Sequence, residues 1–233
     1  MTRILSIAHQ PDARAGVFAE AGAELVEWLA SEGPPPSLDG IDAVMVLGGG
    51  MHVDQEDAHP WLRREKELLR ELVEQGMPIL GVCLGAQLLA EAAGARPHRS
   101  ARPEIGWHRI AVTAHGAADP LIGPLAPAFE VFAWHSYEAP LPPGGVALAR
   151  TPVCLHAFRL DGRPAWGVQF HAEVGLDGLE SWLGGWDADE DAAASGLDPE
   201  AIRRESRQKI AAQEELGRGL AKRFVSEVEA ARG

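Results

Sequence analysis

Short apolar runs and helix-period segments alternate through the first hundred residues. The runs Arg3 to Ala8, Ile41 to Leu47 and Ile79 to Val82 show little of the polar alternation of a half-exposed strand. They predict strands buried on both faces. Between them, Phe18 to Ala30 carries Leu25, Val26 and Leu29 at helical spacing. After the Pro-rich loop Ser31 to Gly40, Pro60 opens a charged segment to Gln75. Its apolar stripe is Trp61, Leu62, Leu68, Leu69 and Leu72. A further helix is expected over Ala86 to Ala93, ending at Gly94. Such alternation of strand and helix predicts a parallel sheet covered on both faces.

From about Ile105 the pattern changes. Ile110 to Thr113, Glu130 to Trp134, Val146 to Arg150, Cys154 to Leu160 and Ala165 to Phe170 read as short strands separated by turns. Asp161-Gly162 is a strong hairpin signal. This half is expected to extend the sheet in antiparallel or mixed fashion. Asp187 to Ser195 reads as an acidic, Ala-rich connector. Asp198-Pro199 then supplies an N-cap and a first-position proline for a C-terminal helix. Leu216, Leu220, Phe224 and Val228 give that helix a packing face, which Gly217 and Gly219 weaken in the middle.

Composition narrows the function classes. With 46% hydrophobic and 24% charged residues among 233, the chain is expected to be a soluble globular protein with a real core. A formal net charge of −13 without a basic patch argues against a nucleic-acid partner. No signal-peptide layout opens the chain, and no apolar run approaches the ~18 residues of a membrane span. The expected location is cytoplasmic, with no membrane partner. The two cysteines form no disulfide framework and suit a reducing compartment.

The chemistry concentrates around Cys83. It lies between an apolar strand and a helix, with Gly81 and Gly85 two residues to either side. This is a Gly-x-nucleophile-x-Gly elbow with sulfur in place of a serine oxygen. Glycine removes side-chain clashes from so sharp a turn. The thiol then faces the positive end of a helix dipole, which favours an anion. A cysteine nucleophile needs a base and an orienter for that base. His171, at the end of the strand Trp166-Gly-Val-Gln-Phe170, is the best base, and Glu173 two residues on can hold its tautomer. The run Gly48-Gly49-Gly50 follows a buried strand and can offer backbone N–H groups to an oxyanion. No Lys-Ser/Thr follows it, so it is not a phosphate loop. His98, His108, His115, His135 and His156 lack ligand-like spacing, and no metal or cofactor is expected.

Together these residues resemble the class I (triad) glutamine amidotransferases of the stand-alone, GMP synthetase-like type. Gly81-Val-Cys-Leu-Gly-Ala-Gln87 corresponds to the family's nucleophile motif. Val46-Leu-Gly-Gly-Gly-Met-His-Val53 resembles its glycine loop, and Phe170-His-Ala-Glu173 its Phe-His-Pro-Glu, with Ala172 for proline. The resemblance runs from about Ile4 to Trp182. It implies an open, mostly parallel, flavodoxin-like α/β sheet with helices on both faces and a mixed or antiparallel extension. Residues 1–185 would form the amidotransferase-like domain, and 186–233 an acidic connector and helical appendage.

The resemblance also implies roles. Cys83 would attack the side-chain amide of L-glutamine to give a γ-glutamyl thioester and ammonia. His171 would act as base and then acid, with Glu173 orienting it. The N–H groups of Gly49 and Leu84 would hold the oxyanion, and Gly50, Gln87, His135 and Ser136 would contact the substrate. Glu104-Ile-Gly-Trp107 resembles a strand entry of the stand-alone members. A separate synthetase subunit would receive the ammonia, and a glycine loop free to turn its N–H groups away would keep the isolated chain slow. The alternative is a hydrolase of γ-glutamyl compounds that uses the same three side chains.

Overall fold

The computed structural model describes residues 1–232. The elements in chain order begin with β1 (Arg3–Ala8), β2 (Glu24–Leu29), β3 (Ala43–Val46), α1 (Trp61–Gln75), β4 (Ile79–Val82) and α2 (Leu84–Ala92). There follow β5 (His98–Val112), α3 (Ala114–Ala117), β6 (Ala128–Glu138), β7 (Gly145–Arg150), β8 (Leu155–Leu160) and β9 (Ala165–Val168). The chain closes with α4 (Leu176–Gly184), α5 (Glu190–Ala194) and α6 (Pro199–Arg232).

The strands form one sheet in the order β2-β1-β3-β4-β9-β8-β7-β5-β6. The pairs from β2 to β9 are parallel. Those from β9 to β6 are antiparallel. This is the α/β architecture with a mixed second half that the patterning predicts. The wholly apolar runs have their physical reason here. Ile4, Met45 and Leu80 face one core cluster with Phe18, Phe170 and Phe224, while Leu5, Val44 and Ile79 face another with Leu62, Leu69 and Leu89. A third cluster, around Phe132, Leu183, Trp186 and Ile202, lies under the antiparallel end.

Three expectations are corrected. Phe18 to Ala30 is not a helix: a 3₁₀ turn spans Gly16–Ala21, and Glu24–Leu29 is strand β2, paired parallel with β1. The edge position explains the miss, because Glu24 and Glu27 on a half-exposed strand blur its alternation into an apparent helical period. The strand expected at Ile110 is the C-terminal end of a much longer β5, and the one expected at Glu130 is the middle of a longer β6. Their polar ends, such as Arg99, Glu104, His135 and Ser136, hide the strand signal. The acidic connector is folded: a 3₁₀ turn at Trp186–Ala188 leads into α5, with Asp189 accepting from the Asp191 and Ala192 N–H groups.

The parallel half positions the site. The C-terminal ends of β1, β3, β4 and β9 lie side by side at one edge of the sheet, where open α/β folds bind ligands. The segments leaving those ends carry His9-Gln10, Gly48-Gly49-Gly50, Cys83 and Gln169 to Glu173. α6 runs unbroken through Gly217. A Cβ at Gly217 would lie 2.0 Å from the Ala172 carbonyl oxygen, so glycine there lets the helix touch the loop that carries His171 and Glu173.

Candidate active site

Cys83 joins β4 to α2 with φ 51° and ψ −109°, and no other non-glycine residue among those described has a positive φ. A non-glycine residue in this region is strained, and such strain gathers at functional sites. Neighbouring backbone enforces the turn. A Cβ at Gly81 would lie 2.6 Å from the Gly85 oxygen, and one at Gly85 would lie 2.0 Å from the Val46 oxygen. The Cys83 N–H donates to the Val168 carbonyl at 2.8 Å, which ties the elbow to β9. The Cys83 sulfur lies 3.5 Å from Gln169 Nε2, which donates to it, and 3.7 Å from the Trp134 carbonyl oxygen.

His171 and Glu173 follow β9 and are both buried. His171 Nδ1 lies 2.7 Å from Glu173 Oε1. Glu173 Oε2 has no partner among the described residues, so this carboxylate serves the imidazole alone. Burial opposes charge on the ring, but the charges of Glu173 and Cys83 outweigh it and push the His171 pKa up to about 10. Trp182 meets the ring edge-on, with centroids 4.8 Å apart. Gly48 fits between Cys83 and His171: a Cβ there would lie 2.8 Å from His171 Cε1 and 3.6 Å from Cys83 Cβ.

Cys83 and His171 line a cavity of about 540 Å³ together with Gly49, Gly50, Leu84, Gln87, His135 and Ser136. The structure thus gathers in one pocket every residue the sequence nominated except Glu173, which stands directly behind His171. Not all of them offer a side chain to a ligand. Gln87 Nε2 donates to the Tyr137 carbonyl at 3.1 Å and to Gln169 Oε1 at 3.3 Å. The Ser136 hydroxyl donates to Asp191. His135 Nδ1 donates to the Tyr137 carbonyl at 3.0 Å, and its side chain is buried away from solvent.

A family model described as "Glutamine amidotransferase class-I" matches residues 16–180. The chain belongs to the class I glutamine amidotransferase family. Among its relatives, the glutamine amidotransferase-like protein YfeJ of Salmonella typhimurium is 29% identical, over 78% of this chain and 80% of that one. One of the subunits of the glutamine-hydrolyzing GMP synthase from Natronomonas pharaonis is 34% identical, over 64% of this chain and 74% of its own. A γ-glutamyl-L-1-hydroxyisopropylamide hydrolase of a Pseudomonas species is 30% identical, over 70% of this chain and 55% of that one. A glutamine amidotransferase of Thermotoga maritima, known from a crystal structure, superposes with a TM-score of 0.84 at 25% identity, covering 96% of this chain and 98% of its own.

Two parts of this amidotransferase site escaped the sequence. The first is the segment after α4. Asp189 accepts from Trp134 Nε1 at 2.8 Å, and Asp191 accepts from Ser136 Oγ and, at 2.6 Å, from Arg99 Nη1. The acidic "connector" is therefore a wall of the pocket, and only its carboxylate density hinted at this. The second part is the end of β1, where His9 and Gln10 reach the glycine loop. Their place at a parallel strand's C-terminal end could have flagged them.

Behind the pocket wall lies another buried cluster, Glu104, His135, Cys154 and His156. Its centre is Glu104 Oε2, 2.9 Å from His156 Nε2, 3.2 Å from Thr151 Oγ1, 3.3 Å from the Cys154 sulfur and 3.5 Å from His135 Nε2. A carboxylate oxygen surrounded by polar partners is a hydrogen-bond hub. Each of the four residues offers one ligand-type atom to this cluster, and these atoms all lie within 4.8 Å of one another. Burial opposes the Glu104 charge, yet hydrogen bonds from His135 and His156 hold the carboxyl far below its usual range. Burial, then the charge of Glu104, pushes the Cys154 thiol far up. Glu104, in the Glu-Ile-Gly-Trp run, ties β5 to β6 and to the segment entering β8.

Proposed function

We propose that this chain hydrolyses the γ-carboxamide of glutamine through a thioester on Cys83, with His171 and Glu173 completing a triad. The observation that carries this reading is a strained-elbow cysteine beside an imidazole whose Nδ1 lies 2.7 Å from a dedicated carboxylate, both reactive groups opening on one pocket. The raised His171 pKa means that the ring readily takes the thiol proton. The sulfur attacks the amide carbon, and His171 returns the proton to nitrogen as the C–N bond breaks and ammonia leaves. A water then gives a proton to His171 and attacks the thioester. Glutamate leaves as the C–S bond breaks, and the thiol–imidazole pair is restored. The N–H groups of Gly49 and Leu84 stabilise the oxyanion of both tetrahedral species. Gly50, Gln87 and the backbone of His135 and Ser136 position the amino-acid end. A separate synthetase protein receives the ammonia, a role supported by the likeness to one component of a multi-subunit GMP synthase.

A second reading keeps the chemistry and changes the leaving group to a larger amine. It is favoured by a pocket of about 540 Å³, in the middle of the range for drug-sized ligands, and by the relative named as a γ-glutamyl amide hydrolase. Purified protein incubated with glutamine and a panel of γ-glutamyl amides, with glutamate release as readout, tests both. Glutamate should be released, Cys83→Ala should abolish its release, and Cys154→Ala should retain most of it. Release from γ-glutamyl amides but not from glutamine selects the second reading. Turnover surviving in Cys83→Ala ends both.

A further inference from the structure

We infer that His9, braced by Glu65, is a positioning residue that aims the Gly49 N–H into the oxyanion site, with Gln10 securing the other side of the loop. This rests on the proposed thioester chemistry. His9 lies one residue beyond β1 and is fully buried. Its Nδ1 is 2.9 Å from the Gly48 carbonyl oxygen. Its Nε2 is 2.9 Å and 3.1 Å from the two carboxylate oxygens of Glu65, on the buried face of α1. A carbonyl oxygen can only accept, so Nδ1 carries a proton and donates. Trp61 stacks on the imidazole, with centroids 5.5 Å apart and planes at 18°, which fixes its plane.

The consequence follows from the planarity of the peptide unit. In a trans peptide the C=O of one residue and the N–H of the next point in opposite directions. Holding the Gly48 carbonyl toward His9 therefore sends the Gly49 N–H the other way. Gly49 borders the pocket with Cys83, Leu84 and His171, and among the described residues its N–H has no acceptor. The next peptide is held as well: the Gly50 N–H donates to Gln10 Oε1 at 2.7 Å. Consecutive residues at the end of one strand thus grip the loop on both sides of Gly49. Three glycines in a row can otherwise rotate freely, and a turned peptide would present a carbonyl to the developing anion. A buried ion pair such as His9–Glu65 has its best-attested use in fixing one arrangement among several.

The variants His9→Ala, His9→Asn and Glu65→Gln test this, with circular dichroism and thermal melting to establish folding. Asn keeps a donor near the Nδ1 position, whereas Ala removes it. The expected kcat for glutamate release, on whichever γ-glutamyl substrate the wild type turns over, falls about 10²–10³-fold in His9→Ala. KM changes little, and His9→Asn recovers a large part of the loss. Alkylation of Cys83 by iodoacetamide needs no oxyanion site, so its rate should stay within a few-fold of wild type. Affinity for a γ-aldehyde analogue of glutamine, which forms a tetrahedral adduct, should fall in parallel with kcat. Unchanged kcat in folded His9→Ala overturns the inference, as does a parallel loss of alkylation and turnover, or a failure of Asn to rescue. If His9→Ala does not fold, Glu65→Gln decides: wild-type kcat and aldehyde affinity overturn the proposal. A wild type that turns over no γ-glutamyl substrate would defeat the thioester reading instead. The crystal structure of His9→Ala would then still decide the positioning claim, since an unmoved Gly48 carbonyl refutes it.

Discussion

At the residue scale, the two cysteines differ through their surroundings. Cys83 sits on a strained elbow beside His171, whereas Cys154 is a buried donor to Glu104. The two buried histidines His9 and His171 share one sign of shift. Glu65 raises the pKa of His9, and Glu173 with Cys83 raises that of His171, in both cases against burial. Each ring holds its proton more tightly folded than unfolded. The stability they contribute is therefore complete below about pH 6.5, the unfolded value, and is lost as pH rises through the folded values. Tm should fall as pH is raised from about 7 toward the His171 value near 10. His171→Ala and His9→Ala should each flatten that fall, and a Tm profile as steep in both variants as in the wild type would contradict the assignment. Cys83, His171 and Glu173 were legible in the sequence because elbow chemistry and close spacing announce them. His9 was not, because a lone histidine after a strand is ordinary until Gly48 and Glu65 meet it in space.

At the element scale, α6 connects stability to the site. The two glycines in its middle look alike in sequence and differ in three dimensions. A Cβ at Gly217 would strike the Ala172 carbonyl at 2.0 Å, whereas one at Gly219 would meet no backbone, only the guanidinium end of Arg223 at 3.0 Å. Gly219→Ala should stabilise the protein by up to ~1 kcal/mol through helix propensity. Gly217→Ala should destabilise it despite the same gain in propensity. It should also cost activity, because the displaced backbone lies between His171 and Glu173. Urea denaturation and glutamate-release assays of the pair check this, and equal behaviour of the two variants would refute the contact. The opposite side of the same loop is held by Gly16, where φ is 48° and a Cβ would lie 2.0 Å from the Glu173 carbonyl. The long β5 and β6 show why other elements were less legible. Their outer ends serve the pocket wall, so Arg99, Glu104, His135 and Ser136 replace the apolar alternation that marks a strand.

At the scale of the whole molecule, the sheet divides its labour. The parallel half presents Cys83 and His171 from its strand ends, and β6 of the antiparallel half reaches them, with the His171 N–H donating to the Phe132 carbonyl at 2.9 Å. The parallel half was readable because strands buried on both faces leave continuous apolar runs. The segment from Trp186 to Ala194 was not, because its packing is set by distant partners such as Trp134, Ser136 and Arg99. Among the described residues no helix is long and apolar enough to cross a membrane. The central claim, a γ-glutamyl thioester on Cys83, is tested most directly by acid-quenching the enzyme during turnover and mapping adducts by mass spectrometry. A γ-glutamyl group on the Cys83 peptide, absent from Cys83→Ala and from enzyme without substrate, is the predicted result. Steady turnover with no adduct at Cys83, or an adduct on another residue, would contradict it.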